Sequence, residues 1–170
     1  MPFDEVCLRP ARADDLELLR RFAVEPDALG PDWSGFQHVG ELQRRLEDDG
    51  LLADDRGLLI IEAGDRGVGE VSWRAARYSS QPHAWNIGVA VVPEARGRGI
   101  GARAQALLVD YLFAHTPVVR LEAHVRTDNP AECRSLEKAG FTREGILRSA
   151  QFKNGAWRDL VLFSRLRQDG

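Results

Sequence analysis

Cysteine is scarce in this sequence, which has two cysteines in 170 residues. Cys7 and Cys133 lie far apart along the chain, so the sequence contains neither a disulfide framework nor a paired-cysteine metal motif. The four histidines show no ligand spacing with cysteine or acidic residues, which predicts that no metal is bound. So little cysteine is typical of a protein from the reducing cytosol.

A basic excess and long apolar runs are also lacking. Lysine and arginine number 23 against 26 acidic residues, which gives a net charge of −3 and disfavours nucleic-acid binding through bulk electrostatics. No apolar run approaches the roughly 20 residues of a membrane span, and the first five residues do not resemble a signal peptide. With 44% hydrophobic residues, the sequence predicts one soluble cytoplasmic domain over residues 1–170, without a membrane or nucleic-acid partner.

A glycine-rich stretch, residues 89–101, organises the rest of the chain. A β-branched apolar run ends at Pro93, which cannot donate a hydrogen bond to a sheet and therefore closes a strand. Glycines at alternate positions follow, with arginines among them, and a helical repeat of apolar residues begins at once. The strand contributes Val89, Ala90 and Val91; the turn contributes Arg96, Gly97, Arg98, Gly99, Ile100 and Gly101; the helical repeat contains Ile100, Ala104, Leu107, Leu108, Tyr111 and Leu112.

Such a turn is typical of a phosphate-binding site. The first N–H groups of a helix have no intrahelical acceptors, and glycines let the backbone approach an anion. Arginine adds fork-shaped donors that suit phosphate oxygens. The alternative is an ordinary strand-to-helix turn in which the glycines relieve strain and the arginines are solvated. The arginines and the immediate amphipathic helix favour the phosphate-binding turn.

The glycine spacing discriminates between phosphate ligands. The sequence has no Walker loop, and its G-x-G-x-G is one residue short of the dinucleotide fingerprint. The stretch Arg96–Gly101 matches in full the motif Arg/Gln-x-x-Gly-x-Gly/Ala. In this the sequence resembles the GNAT superfamily of N-acetyltransferases. The resemblance implies that acetyl-CoA (coenzyme A) is the cofactor.

The order of predicted elements agrees with this resemblance. In the N-terminal part, periodicity and turn residues predict a strand at 6–10, a helix from Asp14, an aperiodic loop over 25–38 and a helix over 39–46. Three strands follow at 58–62, 68–74 and 85–92, with a turn at 65–67 between the first two. The rest of the chain is predicted to form a helix from Ile100, a strand at 118–125, a helix from Asn129 to Gly140, and strands at 141–147 and 157–166 joined by a hairpin at Asn154-Gly155. The three central strands are predicted to be antiparallel neighbours. We predict an α/β (α+β) GNAT fold, with a mixed, mostly antiparallel twisted sheet of roughly six to seven strands flanked by about four helices.

Two C-terminal stretches extend the resemblance to residues 6–166. Residues 129–141 are similar to the family's second signature, an asparagine that heads a helix ending in Glu-Lys-Ala-Gly-Phe. Residues 142–148, with Arg158-Asp159 later, resemble the branch that includes the ribosomal-protein N-terminal acetyltransferases.

The resemblance also implies which residues hold the cofactor. It places the pyrophosphate on the amides of residues 97–101 with Arg96 and Arg98 alongside. It places the pantetheine arm along residues 89–91, where the main chain of Val89 would meet the thioester oxygen. Asn129 matches a position that contacts the cofactor in relatives, and it is also a natural helix cap.

The base that accepts the amine's proton is open among three residues. Many relatives carry a carboxylate five residues before the signature asparagine, where this sequence has His124, whose reference pKa of about 6.5 suits a base. Glu122, on the same strand face, and Glu70, on the preceding hairpin, compete with it, and an ordinary solvated or ion-paired side chain is the alternative for each. Many relatives carry a tyrosine acid seven residues after the asparagine, and Leu136 replaces it here. Cys133 has no His/Asp partner, so we expect direct transfer within a ternary complex.

The acceptor is expected to be a primary amine, either a peptide N-terminus or a small molecule. Trp33 and Phe36 lie in the aperiodic loop, where they either line the acceptor pocket or seal the core. We expect residues 25–40 and the turn 78–84 to frame this pocket. The protein is expected to be a monomer or a homodimer.

Two other functions stay open. A non-catalytic acyl-CoA-binding domain would keep the phosphate turn and lose its acid and base, which Leu136 and His124 allow. The second alternative is a nucleotide-dependent oxidoreductase. Its only support is an acidic residue, Glu122, at a suitable distance after Gly101, and the glycine spacing and the strand order disfavour it.

Overall fold

The computed structural model describes residues 5–78 and 83–169. The chain divides into two compact units, each considered by itself below. The first unit comprises the described residues of Met1–Trp73 and Gly88–Leu108, and the second comprises those of Arg74–Ile87 and Val109–Gly170. The predicted turn 78–84 lies mostly outside the described residues.

Eight strands and five α-helices lie within the described residues. They are β1 (Val6–Arg9), α1 (Leu16–Val24), α2 (Pro26–Leu29), α3 (Val39–Asp49), β2 (Leu52–Ala53), β3 (Arg56–Ala63), β4 (Arg66–Ala76), β5 (Ala84–Val91), α4 (Ile100–His115), β6 (Arg120–Arg126), α5 (Pro130–Lys138), β7 (Thr142–Lys153) and β8 (Ala156–Leu166). The predicted order of elements is confirmed. The predicted count misses two short elements, β2 and α2, which are too brief to show a period. None of the described helices is both long and apolar enough to cross a membrane.

In the first unit the strands follow the order β1-β3-β4-β5, and β2 also pairs with β3. Strand β3 is buried on both faces, because its run of apolar residues packs on both sides of the sheet. One core cluster consists of Leu19, Leu51, Leu58 and Ile60, with Leu42 and Leu46 of α3 packed against it. Burying each such side chain stabilises the fold by about 1.5–3 kcal/mol.

The prediction of a loop over residues 25–38 is wrong in part. Residues Pro26–Leu29 form α2, and Gly30–Asp32 form a 3-10 turn. Proline is suited to the first position of a helix, and Gly30, with φ of 56°, ends α2. Pro26 and Gly30, which in the sequence indicated a loop, therefore begin and end a short helix. The predicted turn at 65–67 is also misplaced, since β4 begins at Arg66 and the positive φ values are at Gly64 and Asp65.

In the second unit the strands follow the order β5-β6-β8-β7. Strand β5 pairs with β6 in parallel at Ala84–Asn86, and β6, β8 and β7 pair antiparallel. The register sets Asn86 beside Glu122 and Glu122 beside Ser164. The predicted hairpin is confirmed, with positive φ at Asn154 and Gly155.

Candidate active site

The glycine-rich turn lies in the first unit, between the end of β5 and the start of α4. Gly97 and Gly99 have φ values of 74° and 75°, which glycine adopts far more readily than other residues. A Cβ at either position would meet no atom within 4 Å, so the space over both glycines is open. The amide of Arg103 donates to the carbonyl of Gly99 at 3.0 Å, which makes Gly99 the first acceptor of α4. The turn therefore exposes backbone and the unpaired N–H groups of a helix start, as an anion site requires.

Arg96 fastens this turn to the rest of the first unit. Its Nε donates to the carbonyl of Val91 at 2.8 Å, and its Nη2 donates to the carbonyl of Ala28. One guanidinium thus holds the end of β5 and helix α2 together. Arg96 is predicted from the resemblance to lie beside the phosphate, and its two hydrogen bonds add a role in positioning the turn.

Glu70 lies across from the strand segment that leads into the turn. The amide of Val92 donates to the carbonyl of Val68 at 2.9 Å, and a Cβ at Gly88 would lie 3.3 Å from Oγ of Ser72. These two contacts fix an antiparallel register in which Glu70 is opposite Ala90. The candidate base Glu70 and the segment Val89–Val91 are therefore neighbours in one unit.

The spacing between these strands depends on Gly69. A Cβ at this position would overlap the carbonyl oxygen of Ala90 and lie 3.1 Å from the Cα of Val91. The backbone of β5 can approach β4 this closely because glycine carries no side chain.

Burial gives the Glu70 carboxyl the ionisation behaviour of a base at neutral pH. Desolvation raises its pKa to about 7, and the positive charge of Arg45 opposes this rise without cancelling it. A carboxyl that titrates near 7 can accept a proton at physiological pH and release it again.

Trp33 and Phe36 also belong to the first unit. Their rings meet edge to face with centroids 5.0 Å apart, and Phe36 is 79% exposed. The indole Nε1 of Trp33 is buried and has no hydrogen-bond partner among the residues that the structure describes. The Nε of Arg45 is likewise buried and unpaired within residues 5–78 and 83–169.

The other two candidate bases lie together in the second unit, on one face of β6. Glu122 is fully buried, and its two carboxylate oxygens are both engaged. Arg120 Nε donates to Oε1, and the hydroxyl of Tyr78 donates to Oε2 at 2.8 Å. His124 Nε2 lies 3.9 Å from the same Oε2. Burial lowers the pKa of His124, with a smaller opposing effect of Glu122, so the imidazole is neutral at pH 7.

Arg120 joins Glu122 to a second carboxylate. Arg120 Nη1 donates to Glu144 at 2.7 Å, and the hydroxyl of Ser164 donates to the same carboxylate at 2.6 Å. These two donors lower the pKa of Glu144 to about 2. Tyr78, Arg120 and Glu144 are not among the site residues predicted from the sequence. The alternation of β6 could have revealed Arg120, but the other two come close only through the register of the folded sheet.

Three further residues of the second unit bear on the chemistry. The side chain of Asn129 accepts a hydrogen bond from the amide of Glu132 at 3.2 Å, so the expected cap is present. Leu136 is fully buried in the core. Burial raises the pKa of Cys133, so its thiol is not activated as a nucleophile. Among the described residues, no group of three or more His, Cys, Asp or Glu side chains could hold a metal ion.

Residues 5–142 match the family described as acetyltransferase (GNAT) domain. The probable N-acetyltransferase YjcK of Bacillus subtilis is 34% identical over 133 residues, which are 78% of this chain and 71% of that protein. The ribosomal-protein-serine acetyltransferase of Escherichia coli is 25% identical, over 79% of this chain and 76% of that protein. A crystal structure of spermidine N-acetyltransferase from Vibrio cholerae, in complex with CoA and spermine, aligns with a TM-score of 0.81 at 19% identity and covers 96% of each chain.

The fold, the family match and the similarity to YjcK therefore agree with the motif at Arg96–Gly101. The chain belongs to the GNAT family and is an acetyl-CoA-dependent N-acetyltransferase.

Proposed function

We propose that this enzyme transfers the acetyl group directly to a primary amine, with Glu70 as the general base. The observation that carries the proposal is the position of Glu70. A carboxyl with a pKa of about 7 lies opposite Ala90, on the strand that leads into the open glycine turn. A base near neutrality is thus adjacent to the segment that would hold the acetyl donor.

The turn fits the pyrophosphate of the cofactor. Gly97 and Gly99 leave open space where a Cβ would stand, and α4 starts directly behind them. The amides of residues 97–101 would hold the phosphates together with Arg98, while Val89–Val91 would offer main-chain groups to the pantetheine arm. When bound, acetyl-CoA supplies an acetyl thioester whose thiol is a good leaving group.

The proton is the remaining requirement, because an amine attacks only as its free base. Glu70 can take that proton at pH 7, since about half of its carboxyl groups are ionised there. Glu122 is a weaker candidate, because Arg120 and Tyr78 already occupy both of its oxygens. His124 stays the rival base, neutral at pH 7 and partly exposed.

Direct transfer is supported by the state of Cys133. A covalent acyl-enzyme needs a nucleophile with a depressed pKa or a neighbouring base, and burial raises the pKa of this thiol instead. We further infer that residues 1–170 act as one acetyltransferase domain. The coverage of 96% of both chains in the structural alignment supports this inference.

The acceptor would be a small-molecule amine or a peptide N-terminus. Two of the proteins named above illustrate these classes: a spermidine N-acetyltransferase and a ribosomal-protein-serine acetyltransferase. Trp33 and Phe36 would line the acceptor side. The free thiols of Cys7 and Cys133 support a reducing, cytoplasmic compartment.

The test measures thiol release from acetyl-CoA with Ellman's reagent against peptides, amino acids, polyamines and aminoglycosides. A thermal-shift titration with CoA runs beside it. We expect stabilisation by CoA and turnover on at least one amine, reduced in Glu70→Gln. Stabilisation without turnover on any amine would favour the non-catalytic acyl-CoA-binding alternative, and turnover unaffected in Glu70→Gln would remove Glu70 as the base.

A further inference from the structure

Two buried N–H donors of the first unit lack acceptors. One is Nε1 of Trp33, which follows α2, and the other is Nε of Arg45, on α3. Neither has a hydrogen-bond partner in the part of the chain that the structure describes. Buried donors in folded proteins are nearly always paired, so an unpaired buried donor is a candidate contact for a bound group.

Arg45 projects from the inner face of its helix. Leu42 and Leu46, three residues before it and one after it, pack against the core cluster of the first unit. The guanidinium is therefore held on the protein side of α3, where its charge acts on Glu70. A substrate whose amine reaches Glu70 would therefore come within the range of the Arg45 charge.

Trp33 is attached to the glycine turn through its own segment. The guanidinium of Arg96 donates hydrogen bonds to the carbonyls of both Ala28, in α2, and Val91, at the end of β5. The amide of Gln37 donates to the carbonyl of Ala23 at 3.0 Å and fixes the other end of the segment to α1. The indole donor is thus presented from a segment that is tied to the end of β5.

We propose that the acceptor amine carries a carbonyl or carboxylate oxygen next to its amino group, and that Trp33 and Arg45 donate to that oxygen. The proposal rests on the proposed function. Both groups are donors without an acceptor function, so they match oxygen and not a further ammonium. A polyamine would bring additional positive charge toward Arg45, whereas the α-amino group of an amino acid or peptide brings the oxygen that both donors lack.

The first experiment compares matched acceptors that differ in this oxygen. Alaninamide and isopropylamine share the carbon that bears the amine and one methyl group, and they differ in the carboxamide that replaces the second methyl. The kcat/KM is expressed per free-base amine to remove the difference in their ionisation. We expect alaninamide to be preferred at least tenfold. A tripeptide amide beginning with alanine and free alanine then distinguish a peptide from an amino-acid acceptor, and spermidine represents the polyamines. Equal use of alaninamide and isopropylamine, or a preference for spermidine, would overturn the proposal.

The second experiment removes one donor. Trp33→Phe keeps an aromatic ring but removes the unpaired N–H together with part of the indole's apolar area. Trp157→Phe, on the exposed end of β8, is the control for the same change of ring away from the site. We expect Trp33→Phe to lower the preference for alaninamide about threefold to tenfold. The smaller ring by itself can lower Tm, so the readout is the ratio of kcat/KM for alaninamide to that for isopropylamine and not the Tm. CoA affinity should be unchanged.

Each contrary result has a separate meaning. An unchanged preference for alaninamide in Trp33→Phe would show that the indole N–H does not contact the acceptor oxygen. Weaker CoA binding would show that the indole contacts the cofactor instead. Either result overturns the proposal. Lack of thiol release with every amine would contradict the proposed function instead. In that case binding of alaninamide against isopropylamine to the CoA complex, measured by calorimetry, still decides the oxygen preference.

Discussion

The hydroxyl of Tyr78 donates a hydrogen bond to Oε2 of Glu122 at 2.8 Å, although Tyr78 is 62% exposed and Glu122 is fully buried. Burial and the neighbouring carboxylate raise the pKa of Tyr78, which keeps the hydroxyl protonated as a donor. Tyr78 thus donates to one oxygen of the buried carboxylate, while Arg120 donates to the other. Glu122 is consequently better suited to hold structure than to accept a substrate proton.

Removing this hydroxyl should destabilise the protein. Tyr78→Phe leaves a lone pair of a buried carboxylate unpaired, and we expect urea unfolding to show a loss of about 1–3 kcal/mol. In a double-mutant cycle with Glu122→Gln, the two changes should be non-additive by about 1 kcal/mol. Additive losses would mean that the contact contributes nothing to stability.

Replacing the proposed base should abolish most of the activity. We expect Glu70→Gln to lower kcat by about a hundredfold or more. In the wild type, kcat at saturating acceptor should rise with pH and level off above about 7, because the carboxylate is the active form. The lowered pKa of His124 would place the rise below about 6.5 if the histidine were the base. A wild-type profile that survives in Glu70→Gln and is lost in His124→Gln would transfer the role to His124.

The same substitution should change how stability depends on pH. The folded-state pKa of Glu70 is about 7, above the value of about 4.5 in the unfolded chain, so the folded state binds the extra proton between these values. The contribution of Glu70 to the free energy of unfolding is therefore fully present below pH 4.5, and it is lost as the pH rises from 4.5 through about 7. Glu70→Gln does not titrate, so its stability relative to wild type should improve by up to about 3 kcal/mol from pH 4.5 to pH 8. If the free energies of unfolding of wild type and Glu70→Gln changed in parallel between pH 4.5 and pH 8, the raised pKa of Glu70 would be contradicted.

The open turn should not accept an acidic side chain. In Gly99→Glu, a non-glycine residue would have to adopt φ of 75°, and a carboxylate would enter the proposed anion site. We expect CoA to cause no thermal shift in a variant that still folds. Gly155→Glu is the control, because Gly155 has φ of 74° and open space around it but lies in the β7–β8 hairpin. Equal CoA binding in both variants would contradict the assignment of the turn.

A single methyl group at Gly69 should disturb the strand that is proposed to hold the cofactor. Gly69→Ala would place its Cβ on the carbonyl of Ala90, and we expect a loss of about 1–3 kcal/mol in stability together with weaker CoA binding. Gly145→Ala is the control, since a Cβ there meets no atom within 4 Å. A Gly69→Ala protein that matches this control in both measurements would show that the strands can separate at little cost.

The parts of this molecule that are predictable from sequence are those with a local cause. Alternating glycines before a helical repeat indicated the turn, Asn-Gly indicated the hairpin, and an asparagine before a helical proline indicated the cap. The segment after α1 was misjudged because Pro26 and Gly30 break helices in the middle but start and end them at their termini.

The catalytic assignment required the folded chain. Glu70, Glu122 and His124 were equal candidates in the sequence, since a carboxyl's ionisation depends on burial and neighbours that no local pattern encodes. The ion pair of Arg120 with Glu144 joins residues 24 positions apart, and the effect of Arg45 on Glu70 spans two elements of the first unit. These contacts arise from strand register and helix packing.

The close approach at Gly69 constrains how this enzyme can be recombined with its relatives. A donor segment carrying any side chain at position 69 needs a β5 backbone that lies farther away, so β4 and β5 have to be inherited as one block. Crossover points in a chimeric library therefore belong outside Arg66–Val91. Libraries that respect this boundary should retain folding while they exchange residues 26–49, which contain the proposed acceptor contacts Trp33 and Arg45.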